Sequence, residues 1–283
     1  MWHLEIAGIS VDLACSSVEL LAELYPRYAA FLTDDCSRDA FELVVDVIRP
    51  VAEGANLIAK GSGIAVSAAG GSDARLSVTG NGLTGYLDLE AGEGRVRLSR
   101  ASGAALEYLV RVLYAYLAFR SGGLLLHAAG LAHQTRAYLF IGQSGSGKST
   151  VTALSPWAAV LSDDLVIARP DERIWIVQST PFWNPEQVGR SPQRAEALIV
   201  GIYKLVKAGV VRLEPLPLSV ATAELAANCP VLNADPPNLG ELVDRCRALA
   251  HAVPISALHF RKEPSFWPVL WPRDAIKPWE ADS

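Results

Sequence analysis

The residues best suited to chemistry form one uninterrupted stretch, GQSGSGKST at positions 142–150. It matches the pattern G-x-x-x-x-G-K-[ST], whose glycines let successive backbone N–H groups point at phosphate oxygens. The helix after it would present its positive end to the same anion. In this pattern Lys148 neutralises charge on the β- and γ-phosphates, and the Ser149 hydroxyl ligates Mg²⁺. The predicted nucleotide-binding residues, for ATP or GTP, are Gly142, Gln143, Ser144, Gly145, Ser146, Gly147, Lys148, Ser149 and Thr150.

The segments on both sides of this stretch are those that a Walker A phosphate-binding loop requires. Residues 137–141 form a continuous apolar run, which is typical of a buried parallel strand. Residues 149–154 contain neither glycine nor proline and predict a short helix, whose length Pro156 limits. The alternative is a glycine-rich surface turn that happens to end in Lys-Ser. The flanking strand and helix favour the nucleotide-binding loop.

Two adjacent aspartates end the next apolar run, which predicts a strand over residues 158–164. At the carboxyl end of a strand beside bound phosphates, a carboxylate can hold Mg²⁺ or accept a proton. Neighbouring residues of an extended chain point to opposite sides, so we expect Asp163 and Asp164 to have different roles. The alternative is a simple Asp-Asp turn into a strand at residues 165–168, and the nearby phosphate loop favours the functional interpretation.

His127 lies on a predicted strand, residues 124–129, upstream of the phosphate loop. An isolated histidine on a strand is more often a core residue than a catalyst. Here it occurs together with a phosphate loop and an Asp-Asp strand end. With LHAAG at 126–130 and LSDD at 161–164, residues 122–168 resemble the catalytic core of the HPr kinase/phosphorylase family. More broadly, they resemble the HPr-kinase-like and phosphoenolpyruvate-carboxykinase-like P-loop proteins.

The resemblance implies a role for each matching residue. Asp164 would accept the proton of the incoming hydroxyl, with His127 beside that carboxylate. Asp163 would assist the metal shell or orient Asp164, and Glu186 falls near the family's downstream acidic metal ligand. The implied catalytic residues are Asp164, His127 and Lys148, and the implied Mg²⁺ ligands are Ser149, Asp163 and Glu186. From the residues alone, the aromatic, proline-rich loop 180–186 is equally a lid or a packing segment.

The leading hypothesis is therefore a Mg-dependent kinase that transfers the γ-phosphoryl group of ATP to a hydroxyl. The acceptor would be a serine of a protein, a peptide or a small molecule. HPr itself is not predicted, because the N-terminal region lacks a match to that family's N-terminal domain and its glycine-rich downstream signature is absent. The second hypothesis is a nucleotide-binding regulatory or scaffold protein without turnover. The third, carboxykinase-type metabolism, has no identifiable oxaloacetate site. The resemblance also leaves a homo-oligomer open.

Composition limits the other functional classes. The 283-residue chain is 51% hydrophobic, with a formal net charge of -5. This acidic balance, without a run of Lys or Arg, argues against nucleic acid or an anionic membrane as the main partner. The N-terminus lacks a signal-peptide pattern, and the most apolar region, 104–132, carries Glu107, Arg111 and Arg120. We therefore predict a cytoplasmic protein whose four cysteines are reduced thiols.

The remaining pattern predicts an α/β chain, α+β overall, with two parts. Residues 1–103 read as a β-rich N-terminal subdomain with a structural or recognition role, including a helix at 17–25 that Pro26 ends. Residues 104–283 read as an HPr-kinase-like P-loop domain with a central mixed sheet. It begins with a helix at 104–119, in which Glu107 and Arg111 can pair across one turn. We expect the aromatic C-terminal segment to pack over the core, with a partner-binding surface as the alternative.

Overall fold

The structure, a computed structural model, describes residues 1–35, 37–48, 65–69, 72–80, 82–99, 101–183 and 193–271. The chain divides into two compact units, Met1–Ser121 and Gly122–Ser283. Each unit contains one sheet with both parallel and antiparallel pairs of strands, together with helices. Among the described residues, no helix combines the length and the apolar character needed to cross a membrane.

The described part of the first unit has a seven-stranded sheet in the order β1-β2-β3-β7-β6-β5-β4. Strands β4 to β7 form an antiparallel meander, and β7 alternates strictly between exposed and buried residues, as a half-buried strand should. The elements are β1 (Trp2–Ile6), β2 (Ile9–Cys15), β3 (Phe41–Val47), β4 (Ala65–Ala69), β5 (Ser72–Gly80), β6 (Leu83–Asp88), β7 (Glu93–Leu98), α1 (Val18–Tyr28) and α2 (Gly103–Arg120).

Helix α1 continues beyond the proline that was expected to end it, so that prediction is wrong. The Ser17 hydroxyl caps the start of the helix by accepting the backbone N–H of Leu20 at 3.2 Å. Pro26 lies inside the helix, where its missing N–H removes one backbone hydrogen bond. Leu24 and Tyr28, one turn apart on either side of Pro26, are both buried. Their burial offsets the lost bond and carries the helix one further turn.

Helix α2 belongs to the first unit, although the sequence predicts it as the start of the second domain. Its Glu107 carboxylate accepts hydrogen bonds from Arg27 on α1 and from Arg111 one turn later, the latter at 3.0 Å. The Tyr114 hydroxyl donates to the carbonyl of Ile9 at 3.2 Å. These bonds connect α2 to the first sheet and its helix, and the boundary between the units falls after Ser121 instead of after residue 103.

The described part of the second unit has an eight-stranded sheet and four α-helices. Strand β14 is an additional edge strand that the sequence pattern did not predict, because all four of its residues are exposed. The elements are β8 (Leu124–His133), β9 (Arg136–Ile141), α3 (Lys148–Ala153), β10 (Ala159–Ser162), β11 (Leu165–Asp171), β12 (Ile174–Gln178), β13 (Glu196–Lys207), β14 (Arg212–Pro215), α4 (Leu218–Ala227), α5 (Leu239–Ala252), β15 (Ile255–Phe260) and α6 (Trp267–Leu270).

Strand β9, which leads into the phosphate loop, lies between β8 and β13. It pairs in parallel with β13, as expected for a buried parallel strand, and antiparallel with β8. Because β8 also pairs with β11, and β12 pairs with both β11 and β13, these five strands are linked in a closed circuit. The residues of β9 after Arg136 are all buried. The loop at its end is therefore anchored in the core.

The C-terminal segment packs on the core up to Trp271, the last described residue, as the sequence predicts. Phe266, Trp267 and Trp271 are buried in a cluster that also contains Val151 of α3. The indole N–H of Trp267 donates to the hydroxyl of Ser155, just beyond α3, at 2.9 Å. This aromatic cluster supports the helix after the phosphate loop, so the C-terminal segment stabilises the position of α3.

Two of the cysteines lie side by side in the second unit. The Sγ atoms of Cys229 and Cys246 are 4.0 Å apart in the core, and both residues are free thiols. The hydrogen bond with Cys246 and burial raise the pKa of the Cys229 thiol. Cys15 is also a free thiol, and Cys36 lies outside the described residues.

Candidate functional site

The register of the strands places His127, the phosphate loop and the two aspartates at the same level of the second sheet. Ala128 of β8 pairs with Ile141, the last residue of β9 before the phosphate loop. On its opposite edge, β8 pairs with β10 at Gly130 and Ser162, and with β11 at His127 and Leu165. The two aspartates at positions 163 and 164 therefore occupy the interruption between β10 and β11. Neighbouring strands lie about 5 Å apart, so the loop and the aspartates flank β8 closely.

The phosphate loop has the backbone that its glycines permit. Gly142, Gly145 and Gly147 have φ angles of +150°, +77° and +116°, in the region that residues with a side chain rarely adopt. A Cβ atom at Gly147 would lie 2.6 Å from the ring of Phe260 on β15. Helix α3 begins at Lys148, directly after Gly147. The glycines thus allow the tight curl and the close approach of the loop to the core.

The Lys148 side chain is only 8% exposed, and its ammonium group folds back over the loop. Its Nζ atom donates to the carbonyl of Gly142 at 2.7 Å and to that of Gln143 at 3.4 Å. Burial lowers the pKa of Lys148, while the negative charges of Asp164 and Asp163 oppose this shift. The loop therefore holds a largely desolvated cation at the place where phosphate oxygens are expected.

Hydrogen bonds from a distant segment fix the corner that carries the aspartates. The Ser162 hydroxyl accepts the backbone N–H groups of Asp164 and Leu165, both at 3.2 Å, and donates to the carbonyl of Phe182 at 3.1 Å. The Thr180 hydroxyl donates to the carbonyl of Leu165 at 2.5 Å and accepts the N–H of Phe182 at 3.2 Å. These two buried hydroxyls hold the chain in a bend after β10. We call residues 162–165 the aspartate corner.

The bend changes the arrangement that the sequence predicts for the two aspartates. Strand β10 ends at Ser162, so Asp163 and Asp164 do not belong to a regular extended strand. Both residues line the same cavity. Their environments nevertheless differ. Asp163 is 3% exposed, whereas the Asp164 side chain is 27% exposed.

His127 and Asp164 are in direct contact. The Nε2 atom of His127 lies 3.2 Å from Oδ1 of Asp164, and about a third of the imidazole is exposed. The backbone N–H of His127 donates to the carbonyl of Asn228 at 2.7 Å, which fixes this part of β8. The backbone of β8 therefore holds His127 in place, and its imidazole contacts the carboxylate of Asp164.

These groups line one cavity of about 250 Å³. Complete small-molecule pockets measure roughly 300–1,000 Å³, so this cavity is smaller than a pocket that encloses a whole ligand. Most of the lining comes from the residues that the sequence predicts. Lys207, the last residue of β13, was not predicted, because ligands bind beyond the carboxyl ends of parallel strands but the sequence does not show that β13 lies beside β9. The lining residues are His127, Ser144, Gly145, Gly147, Lys148, Ser149, Thr150, Asp163, Asp164 and Lys207.

Three of the predicted residues lie outside this lining, and a fourth lies outside the described residues. Gly142, Gln143 and Ser146 belong to the loop but do not line the cavity, and Glu186 lies outside the described residues. Within the described ranges, no group of three or more His, Cys, Asp and Glu residues could hold a metal ion. The oxygen atoms of Ser149 and Asp163 still suit Mg²⁺, because this ion binds one or two carboxylates together with substrate phosphates. The site thus fits a metal that arrives with a nucleotide.

The first unit contains a larger cavity of about 860 Å³ near the carboxyl end of α2. Its charged lining residues are Arg38, Asp39, Glu42, Glu90, Glu93 and Arg120. The described residues around it include neither a phosphate loop nor a paired acid and imidazole. We place the candidate active site in the second unit because its cavity, although smaller, combines buried charge, a glycine-rich loop at the start of a helix and a carboxylate–imidazole contact.

Comparison with known proteins gives little similarity. No protein-family model matches the sequence, and no curated protein matches it. Among solved structures, the HPr(Ser) kinase/phosphatase from Coxiella burnetii is similar to this chain at 12% sequence identity. The match covers 51% of this chain and 90% of the other, with a TM-score of 0.29. This similarity is too low to assign a family, so the function must be inferred from the geometry of the site.

Proposed function

We propose that the second unit is a Mg-dependent P-loop kinase, which transfers the γ-phosphoryl group of ATP to a hydroxyl group. The acceptor is a serine of a protein or peptide, or the hydroxyl of a small molecule. The observation that carries this proposal is the single cavity lined by Lys148 together with the contacting pair Asp164 and His127. A phosphate loop by itself supports binding. Transfer to a hydroxyl also needs a group that can take a proton.

In the proposed reaction, the acceptor oxygen forms a bond to the γ-phosphorus while the bond from that phosphorus to the β–γ bridging oxygen breaks. The hydroxyl proton passes to the carboxylate of Asp164, and ADP is the leaving group. A strong base is unnecessary, because the transition state of phosphoryl transfer is loose. His127, at 3.2 Å, orients this carboxylate and stabilises its negative charge when Nε2 carries a proton.

Charge neutralisation is the other contribution of the chain. Lys148 is already placed over the loop by its bonds to Gly142 and Gln143, so a bound phosphate finds the ammonium group in position. Phosphate oxygens would replace these neutral carbonyls with stronger, charged acceptors. Ser149 and Asp163 would hold Mg²⁺ against the phosphates, which leaves the carboxylate of Asp164 for the hydroxyl proton. The metal would supply positive charge that offsets the negative charge of the phosphoryl group during its transfer.

The test is incubation of the chain with γ-labelled ATP and an extract of the source organism. We expect a labelled acceptor with the wild type and none with Lys148→Ala, which should lose nucleotide binding. Asp164→Asn should retain nucleotide affinity and lose about 10²- to 10⁴-fold in transfer rate. The matched control is Asp171→Asn, an exposed aspartate at the far end of β11, which should leave binding and transfer unchanged.

The same experiment separates the competing functions. Nucleotide binding without a labelled product, over extracts and a panel of hydroxyl acceptors, would favour a regulatory nucleotide-binding protein. Full transfer activity in Asp164→Asn would remove Asp164 from the mechanism. A folded wild-type chain that binds neither ATP nor GTP would contradict both functions.

A further inference from the structure

The site contains a cation to which the proposed reaction assigns no role. Lys207 ends β13, is exposed, and lines the cavity together with Lys148 and the two aspartates. In the proposed function, Lys148 binds the phosphates beside the loop. The two aspartates and His127 act at the γ-phosphate and the acceptor hydroxyl. The position of Lys207 relative to these groups decides which part of a nucleotide it can reach.

Strand order places Lys207 on the opposite flank of the phosphate loop from His127. Ile141, at the end of β9, pairs with Ala128 of β8 on one side and with Lys204 of β13 on the other. Strand β13 then continues to Lys207, still paired with β15. At about 3.3 Å per residue, Lys207 lies roughly 10 Å beyond the end of β9, alongside the loop. The loop therefore runs between the aspartate corner and Lys207.

The close contact of Gly147 with Phe260 strengthens this placement. Phe260 is the strand partner of Lys207 on β15, and its ring lies where a Cβ atom of Gly147 would be. The loop backbone thus rests on the residue next to Lys207. Little space separates the loop from this flank, so an anion held by the loop lies within reach of a flexible lysine side chain.

We infer that a bound nucleotide has one orientation, with the γ-phosphate at Asp164 and the α- and β-phosphates directed towards Lys207. This inference depends on the proposed function, because the transferred group must lie at the proton acceptor. With the γ-phosphate fixed at Asp164, the β- and α-phosphates of the nucleotide follow the loop towards β13. Lys207 then binds oxygens that remain in ADP after transfer. It contributes to affinity for the nucleoside diphosphate and triphosphate alike.

The experiment measures the affinities of ADP and of a non-hydrolysable ATP analogue for five proteins by calorimetry. These are the wild type, Lys207→Ala, Lys207→Arg, Lys148→Ala and the control Lys262→Ala. Lys262 is also an exposed lysine near the carboxyl end of the neighbouring strand β15, but it does not line the cavity. We expect Lys207→Ala to weaken both nucleotides by about tenfold, as for the loss of one charged contact. Lys207→Arg should restore much of the affinity, and Lys262→Ala should match the wild type.

Three results would overturn the inference. If Lys207→Ala weakens the ATP analogue and leaves ADP unchanged, Lys207 contacts the γ-phosphate and the orientation is wrong. If it changes neither affinity while Lys148→Ala abolishes both, Lys207 is not a nucleotide contact and the proposed function stands. If the folded wild type binds neither nucleotide, the proposed function itself fails. Thermal unfolding of each variant confirms that the exposed substitutions leave the fold intact.

Discussion

The phosphate loop and the aspartate corner lie on two sides of one cavity but are held in different ways. The loop is nine consecutive residues, shaped by glycines and by the helix that starts within it. The corner depends on the hydroxyls of Ser162 and Thr180 and on the backbone of Phe182, up to 20 residues apart in sequence. The binding half of the site is thus specified locally, and the reactive half is specified by tertiary hydrogen bonds.

This difference predicts that mutations should separate the two functions. Changes in the loop should reduce nucleotide affinity, because they alter the backbone that faces the phosphates. Changes in the bonds that support the corner should reduce the transfer rate at saturating nucleotide, because they move Asp164 without touching the loop. We expect the largest effect from a substitution in the loop. The smallest should come from the electrostatic interaction between Asp164 and Lys148.

Gly147→Ala should reduce nucleotide affinity by about 100-fold, since it combines a strained φ of +116° with an overlap against Phe260. Gly145→Ala is the matched control. It has a φ of +77° but meets no atom within 4 Å, so only the backbone strain remains and the loss should be smaller. Calorimetric titration with ADP measures both. Equal losses would show that the contact with Phe260 contributes nothing.

Thr180→Val should lower the transfer rate by about tenfold at saturating nucleotide and leave ADP affinity unchanged. It should also reduce the free energy of unfolding by about 2 kcal/mol, because the Leu165 carbonyl and the Phe182 N–H lose their buried partner. Thr180→Ser keeps the hydroxyl and should retain the rate. Urea unfolding and steady-state kinetics provide the measurements, and a weakened ADP affinity would argue against separate control of the two sides.

A double-mutant cycle of Ser162→Ala with Thr180→Val tests whether the two hydroxyls position the same group. Both hydroxyls act on the one bend that carries Asp164, so their effects on transfer should be less than additive. We expect the double variant to lose about as much rate as the more damaging single variant. Fully additive losses would mean that the two hydroxyls position different groups.

The smallest expected effect is on the pH dependence of nucleotide affinity. In the proposed function Lys148 binds phosphate as the ammonium ion, so affinity should fall as pH rises through its pKa, which burial lowers below the usual value. Because Asp164 opposes this lowering, Asp164→Asn should start to lose affinity at a lower pH than the wild type. Titrations at increasing alkaline pH measure the difference of a few-fold, with Asp171→Asn as the control. Identical profiles would show that Asp164 does not act on Lys148 electrostatically.

Local patterns predicted the elements that carry the loop. The apolar run before it and the short helix after it occur where the sequence indicates, because their periodicity and their breakers lie within a few residues. The sequence also predicted that His127, Lys148 and Asp164 belong to one site. Their proximity in one cavity is consistent with this, and their chemical roles stay predictions.

The parts that the sequence did not predict depend on distant contacts. A turn at Asp163 and Asp164 was one of two interpretations of the local sequence, and the bonds of the Thr180 hydroxyl to Leu165 and Phe182, which support the bend, come from outside that stretch. Helix α1 passes Pro26 because of buried side chains on both sides of it. Lys207 enters the cavity only because β13 extends beyond β9, a matter of strand register that a single sequence does not reveal.

The aromatic cluster under α3 also has a consequence for biosynthesis. Phe260, Phe266, Trp267 and Trp271 are among the last described residues to leave a ribosome, yet they cover Tyr138, Phe140 and Val151, which are made much earlier. A nascent chain that ends before Ile255 therefore exposes this apolar surface and lacks the ring on which Gly147 rests. The proposed phosphate-binding loop therefore reaches its final structure only when translation of the second unit is nearly finished. Chains truncated there should aggregate.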